Sequence, residues 1–300
     1  MKRVFSKLTR TNYYSVSNLI LITFFAITIS SCNNDDEPPS VAIKEISQDI
    51  KNLIYFRGDE KASTVLINAQ AGPATMLDEE LVDYLSGFLS TRGILTVNVH
   101  QTQTLNPSIL EENDITLDQA VNFNLQSVET LYRVVKYFKD EGRTVYVLGL
   151  SFGAFITQEL IAQNGIDVAD NYLIITGRLN INDVFWQGLA EGKGGFFENG
   201  ITPILDENPD MDVFRRNEAR LFAGLAMNRY AQQFNAIESL SSITYIYGAT
   251  DEALGSLTTE EIQFLESKNA NILRGSGGHD EPFEGFLEEG FREAFGIEVE

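Results

Sequence analysis

The sequence predicts an α/β fold: a mostly parallel sheet with helices on both faces and a helical insertion over one sheet edge. Two observations predict it. Short apolar, β-branched runs alternate with segments of helical period along most of the chain, and strands that alternate with helices need right-handed crossovers into a parallel sheet. Residues 144–156 read TVYVLGLSFGAFI, an apolar run that enters Gly149-Leu150-Ser151-Phe152-Gly153 and leaves as a helix-compatible segment, 154–163. There G-x-S-x-G is a sharp strand-to-helix turn that lifts one hydroxyl beyond the sheet, with glycines where two backbones pass too closely for a Cβ. Ser151 is therefore the candidate nucleophile.

The chain opens with Lys2, Arg3, Lys7 and Arg10, then an apolar run at 19–27 and the only cysteine, Cys32. The apolar run is shorter than the roughly 20 residues a membrane-spanning helix needs, and small residues follow it, which is the pattern of a secretory signal. Ile29-Ser30-Ser31-Cys32 resembles a bacterial lipobox, with Ile29 where Leu is more usual. The resemblance implies cleavage before Cys32 and acylation of that residue; the competing reading is an ordinary signal peptide with a chance cysteine. Residues 33–40, NNDDEPPS, are polar and proline-containing, too poor in apolar side chains to fold alone. The expected organisation is a lipoprotein signal peptide at 1–31, a disordered tether at 32–45 and a catalytic domain at 46–300. An acidic run directly after the lipidated cysteine also resembles a surface-export signal of certain Gram-negative lipoproteins. That implies an exported protein held in the bacterial envelope, at the outer membrane and its surface, with a periplasm-facing anchor as the alternative.

Within the domain, residues 53–56 form an early strand whose partner is not evident, and 63–68 form a clearer one. Residues 76–89 place Leu77, Leu81, Tyr84, Leu85 and Phe88 on one helical face. A strand at 94–99, a loop at 100–116 and a long helix at 117–139 precede the turn at Ser151. Further strands are expected at 172–176, 243–247 and 271–273. Between 178 and 240 the alternation breaks: Trp186, Phe196 and Phe197, a glycine-rich piece at 191–195, an acidic loop at 206–212 and a helical pattern at 213–234. This reads as a helical cap over the active-site edge, its glycines allowing movement, or else as an ordinary side layer.

The whole chain carries 22 Lys and Arg against 43 Asp and Glu. Without the signal, which holds four of the basic residues and none of the acidic ones, the balance is 18 − 43 = −25. Such a charge repels nucleic acid and anionic headgroups, so no nucleic-acid partner is expected and membrane contact falls to the lipid alone. With a single cysteine no intrachain disulfide can form, so stability must come from a core. The acidic loop lacks the turn glycine and terminal glutamate of a Ca²⁺ loop, and no His or Cys cluster has metal-ligand spacing. No metal or cofactor is expected.

A serine hydroxyl needs a base, and the base an orienting carboxylate. The two histidines are His279, in Gly277-Gly278-His279-Asp280 after the last strand, and His100, at the end of the strand 94–99. Both fall at the carboxyl ends of strands, where such sheets do chemistry, and His279 is preferred. After the penultimate strand stands Tyr247-Gly248-Ala249-Thr250-Asp251-Glu252, with Asp251 the better-placed acid and Glu252 in reserve. The order Ser151, Asp251, His279, together with the G-L-S-F-G turn, the strand-G-x-x-D segment and the G-G-H loop, resembles the α/β-hydrolase superfamily over about residues 50–300. That resemblance implies an α/β-hydrolase fold and a Ser-His-Asp triad. An oxyanion hole would take one donor from the amide of Phe152 and one from Gln70 or Ala71. In relatives resembling proline-type aminopeptidases the latter loop reads His-Gly-Gly-Pro. Here Asn68 replaces the histidine, while Gly72-Pro73 remains. The expected substrate is a small carboxylic ester, with a small peptide or amide second. The alternative from another class is a binding lipoprotein on a hydrolase scaffold.

Overall fold

The structure is a computed structural model that describes residues 43–298. The signal segment, Cys32 and all but the last three residues of the expected tether lie outside the described residues. At Lys44 and Glu45 the chain is already bonded to the domain, their carbonyls accepting from Arg143 and Tyr137.

The described strands are β1 (Ile54–Arg57), β2 (Thr64–Ala69), β3 (Ile94–Val99), β4 (Thr144–Leu150), β5 (Asn171–Ile175), β6 (Gly195–Glu198), β7 (Thr202–Leu205), β8 (Ile243–Gly248) and β9 (Asn271–Gly275). Seven of them make one sheet in the order β1-β3-β2-β4-β5-β8-β9. All neighbours are parallel except β1, which runs antiparallel to β3 with Ile54 opposite Val99. The early strand thus finds its partner at the sheet's edge. A separate hairpin pairs β6 with β7.

Burial follows from this topology. Parallel central strands are covered on both faces and read as continuous apolar runs, and alternate residues serve two cores. Val65, Ile67, Val147 and Ile174 face one core beneath the helices Leu117–Asp140 and Phe152–Asn164; Leu66, Leu148, Leu173 and Ile246 face the other, beneath Glu79–Leu89 and Glu281–Phe295. β4 lies at the middle of the sheet, which puts its carboxyl end beside the loops that follow β2, β5 and β8.

Two helices differ from expectation. The one expected from 76 starts at Glu79, because the Asp78 side chain accepts from Leu81 N and Asp78's own amide is held by Gln70, which keeps 76–78 out of the helix. The helical pattern 213–234 divides into Val213–Ala226 and a short turn, Tyr230–Gln233. The break arises because the chain turns back to the sheet: Tyr230 N donates to Leu179 O, Asn180 bridges Arg229, and Asn228 donates to Glu159. The loop expected at 100–116 contains two single-turn helices, Thr102–Leu105 and Ser108–Glu111.

The segment 178–240 is fastened at several points. Glu261 accepts from the amides of Leu179 and Asn180 and pairs with the buried Arg178 at 2.8 Å. Asn217, fully buried on Val213–Ala226, donates to three carbonyls of 109–113 and accepts from Ile115 N at 3.0 Å. The hairpin is tied to the loop after β8, Phe197 N donating to Glu252 O at 2.7 Å and Ser256 N to Gly200 O at 2.8 Å.

Candidate active site

Ser151 sits between β4 and Phe152–Asn164 with φ 54° and ψ −116°, a conformation that L-residues rarely adopt and that costs about 1–3 kcal/mol. Its amide donates to Ile175 O and its carbonyl accepts from Ala154 N, both at 3.0 Å, so neighbouring backbone holds the turn in place. The flanking glycines are required by contact. A Cβ on Gly149 would stand 2.6 Å from Gly153 O, and one on Gly153 would collide with Ala69 O at the end of β2.

The loop after β8 delivers Asp251, which is 2% exposed. Its Oδ1 accepts from the amides of Ala253 and Leu254, each at 2.9 Å, closing the turn and fixing the carboxylate plane. Its Oδ2 lies 2.9 Å from His279 Nδ1, and His279 Nε2 lies 3.0 Å from Ser151 Oγ. An ionised carboxylate only accepts, so Nδ1 carries the proton and Nε2 is left to accept from the serine hydroxyl. Burial pushes the His279 imidazole down, but the hydrogen bond to Asp251 and the charges of Asp251, Asp280 and Glu252 outweigh it, and the net shift is upward.

The glycines before His279 serve close approach more than freedom. Thr250 N donates to Gly277 O at 3.0 Å and Ala249 N to Gly275 O at 3.1 Å, while a Cβ on Gly248 would stand 2.7 Å from Gly277 O. The acid loop and the histidine loop are therefore stitched together, and Glu252 accepts from His279 N at 3.3 Å without facing the imidazole nitrogens that Asp251 and Ser151 take up.

His100 lies elsewhere. Its Nδ1 pairs with Thr104 Oγ1 at 2.9 Å and its amide donates to Leu53 O, toward the β1 edge. Burial lowers its pKa, with Glu79 opposing.

Phe152 opens its helix, where the first amides have no partner within the helix and the dipole favours negative charge. Of the two candidates for the other donor, Ala71 lines the cavity over Ser151, and Gln70 is wholly buried behind it. Gln70 holds the loop: its Oε1 accepts from Asp78 N and Asn98 Nδ2, its Nε2 donates to Met76 O, and its carbonyl accepts from Gln101 Nε2. Asn68 belongs to the same network, donating to Asn98 Oδ1 at 3.0 Å in the sheet interior. Asn98 and Gln101 were not singled out by sequence reasoning; amides at the ends of otherwise apolar strands were the available signal.

Two cavities meet at Ser151. One, of about 350 Å³, is lined by Ala71, Gly72, His279, Asp280, Phe283 and Glu284. The other, of about 460 Å³, runs under the segment 178–240, where Phe152, Leu189, Ala219, Phe222 and Leu254 supply apolar walls.

The parallel sheet, the strained serine turn at the end of its middle strand and the loop order make this the α/β-hydrolase fold. Among solved structures, MGS-M2, an α/β hydrolase enzyme from a Medee basin deep-sea metagenome library, matches with a TM-score of 0.52 at 13% identity, covering 81% of this chain and 94% of that one. BpoC from Mycobacterium tuberculosis H37Rv, a candidate non-heme bromoperoxidase, matches with a TM-score of 0.51 at 12% identity, covering 82% and 94%. These likenesses are of fold. No protein-family model and no curated protein matches the sequence.

Proposed function

We propose that the chain is a serine hydrolase that cleaves a small carboxylic ester, with a small peptide or amide as the second substrate class. The observation that carries the reading is the placement of His279, its two ring nitrogens 2.9 Å from Asp251 and 3.0 Å from Ser151. In the proposed reaction Ser151 Oγ attacks the substrate carbonyl carbon as its proton passes to His279 Nε2. The developing alkoxide is met by the amides of Phe152 and Ala71, donors whose loss typically costs about 2.7–4 kcal/mol. Collapse breaks the bond to the leaving group, which takes the proton back from Nε2. Water, activated by the same nitrogen, then releases the acid. We further propose that the domain is exported and held in the bacterial envelope, at the outer membrane, by acylated Cys32.

The test is labelling of residues 41–300 with a fluorophosphonate, read by intact mass. One adduct on the wild type and none on Ser151→Ala is expected. A folded wild type that takes no adduct would overturn the reading and favour a ligand-binding role.

A further inference from the structure

The two cavities at Ser151 are not equivalent, and their chemistry assigns the two halves of a substrate. In acyl transfer the leaving group must receive a proton from His279 Nε2, so it lies on the histidine's side of the serine. His279 lines the smaller cavity and is absent from the walls of the larger one, whereas Ser151 belongs to both. The acyl half therefore takes the larger space beside Phe152, Leu189 and Phe222, and the leaving group takes the smaller.

The charges of the two spaces differ as well. The larger cavity carries both signs: Lys193 pairs with Glu191 at 2.8 Å and Arg215 with Glu218 at 2.9 Å, and Asp210 lines it without an ion pair among the described residues. The smaller cavity contains no Lys or Arg. Asp280 and Glu284 face it, neither in an ion pair with a described residue, and the ring of Phe283 stands between them in sequence as a third wall. An aromatic ring beside two carboxylates, with no Lys or Arg in the lining, favours a cation and disfavours an anion. Neither feature is needed to position His279, whose Nδ1 is already held by Asp251.

We propose that the leaving group is a small alcohol or amine that carries an ammonium group, recognised by Glu284, Asp280 and Phe283. This rests on the serine-hydrolase reading above. The ester C–O bond, or the amide C–N bond, breaks as His279 Nε2 returns its proton to the departing oxygen or nitrogen. The ammonium group is a spectator held in the outer part of the cavity.

The test compares the choline ester and the uncharged 3,3-dimethylbutyl ester of one acid, butyric or phenylacetic, which match in shape and differ in charge. The choline ester is expected to have the higher kcat/KM by about tenfold at low ionic strength. That ratio should shrink as salt rises from about 0.01 to 0.15 M, because both carboxylates are exposed to solvent. It should also fall toward one in Glu284→Gln, chosen because the charges that chiefly raise His279 are those of Asp251, Asp280 and Glu252. Equal kcat/KM for the two esters, or a preference that survives both salt and Glu284→Gln, would overturn the leaving-group assignment and leave the hydrolase reading intact. Hydrolysis of neither ester by a protein that also takes no fluorophosphonate adduct would overturn both.

Discussion

His279 can accept the serine proton only while neutral, and its surroundings favour the charged form. The sign is fixed by that: as pH falls through a pKa lying above the ordinary imidazole value of about 6.5, the base is lost and kcat/KM declines. The acidic limb of the pH profile is therefore expected above that value. Asp251→Asn removes the bond and the charge that raise it, so the limb should move to lower pH. The same change frees Nδ1 to accept, which lets Nε2 hold the proton and should cut kcat by about 10⁴. Measuring kcat/KM against pH for both proteins decides it, and a limb that stays in place would remove Asp251 from the role of orienting carboxylate. At this scale the three triad candidates were legible because each residue type is rare or patterned at its position: two histidines, one serine between paired glycines, one Asp in the loop after the penultimate strand. The side-chain network of Asn68, Gln70, Asn98 and Gln101 was not, since it joins two neighbouring strands and the loops that follow them, which only the folded sheet brings together.

Glu261 shows how one helix end organises a distant segment. As the third residue of the helix Thr259–Ser267 it completes a capping box with Thr258, which its sequence position alone suggests. Its carboxylate also takes the amides of Leu179 and Asn180 and the guanidinium of Arg178, whose side chain is 7% exposed against 2% for Glu261. Glu261→Ala would leave Arg178 buried without its partner and two amides unsatisfied. A loss of about 3–5 kcal/mol follows from breaking a buried pair on one side only, to be read from urea denaturation; a loss under about 1 kcal/mol would show the pair to be dispensable. The strands were legible from their apolar runs, and the long helices from their period. The division of 213–234 was not, because propensity continues through a break that Asn228 and Tyr230 impose by contacts with Glu159 and Leu179.

For the whole molecule the dominant fact is an acidic surface. A domain with this charge is repelled by anionic headgroups, and among the described residues no helix is long and apolar enough to cross a membrane. If acylated Cys32 is the attachment, it works alone. Cys32→Ser is expected to move the protein from the membrane fraction to the soluble one with ester hydrolysis intact. Fractionation with an activity assay checks this, and undiminished membrane retention would remove the anchor from the proposal. The same surface charge raises the local concentration of cations at the mouth of the smaller cavity, in keeping with the leaving group proposed for it.

The two backbone bonds between the β6–β7 hairpin, which edges the larger cavity at Gly195, and the loop that carries Asp251 and Glu252 tie that edge to the candidate acid. A hinged lid can open without disturbing the loops beneath; displacing this hairpin would break those two bonds or pull on the turn that holds the Asp251 carboxylate. Selection for a bulkier or smaller acyl group acting on the hairpin would thus be felt in turnover as well as in affinity. For the hydrolase proposed above, specificity and rate would be inherited together.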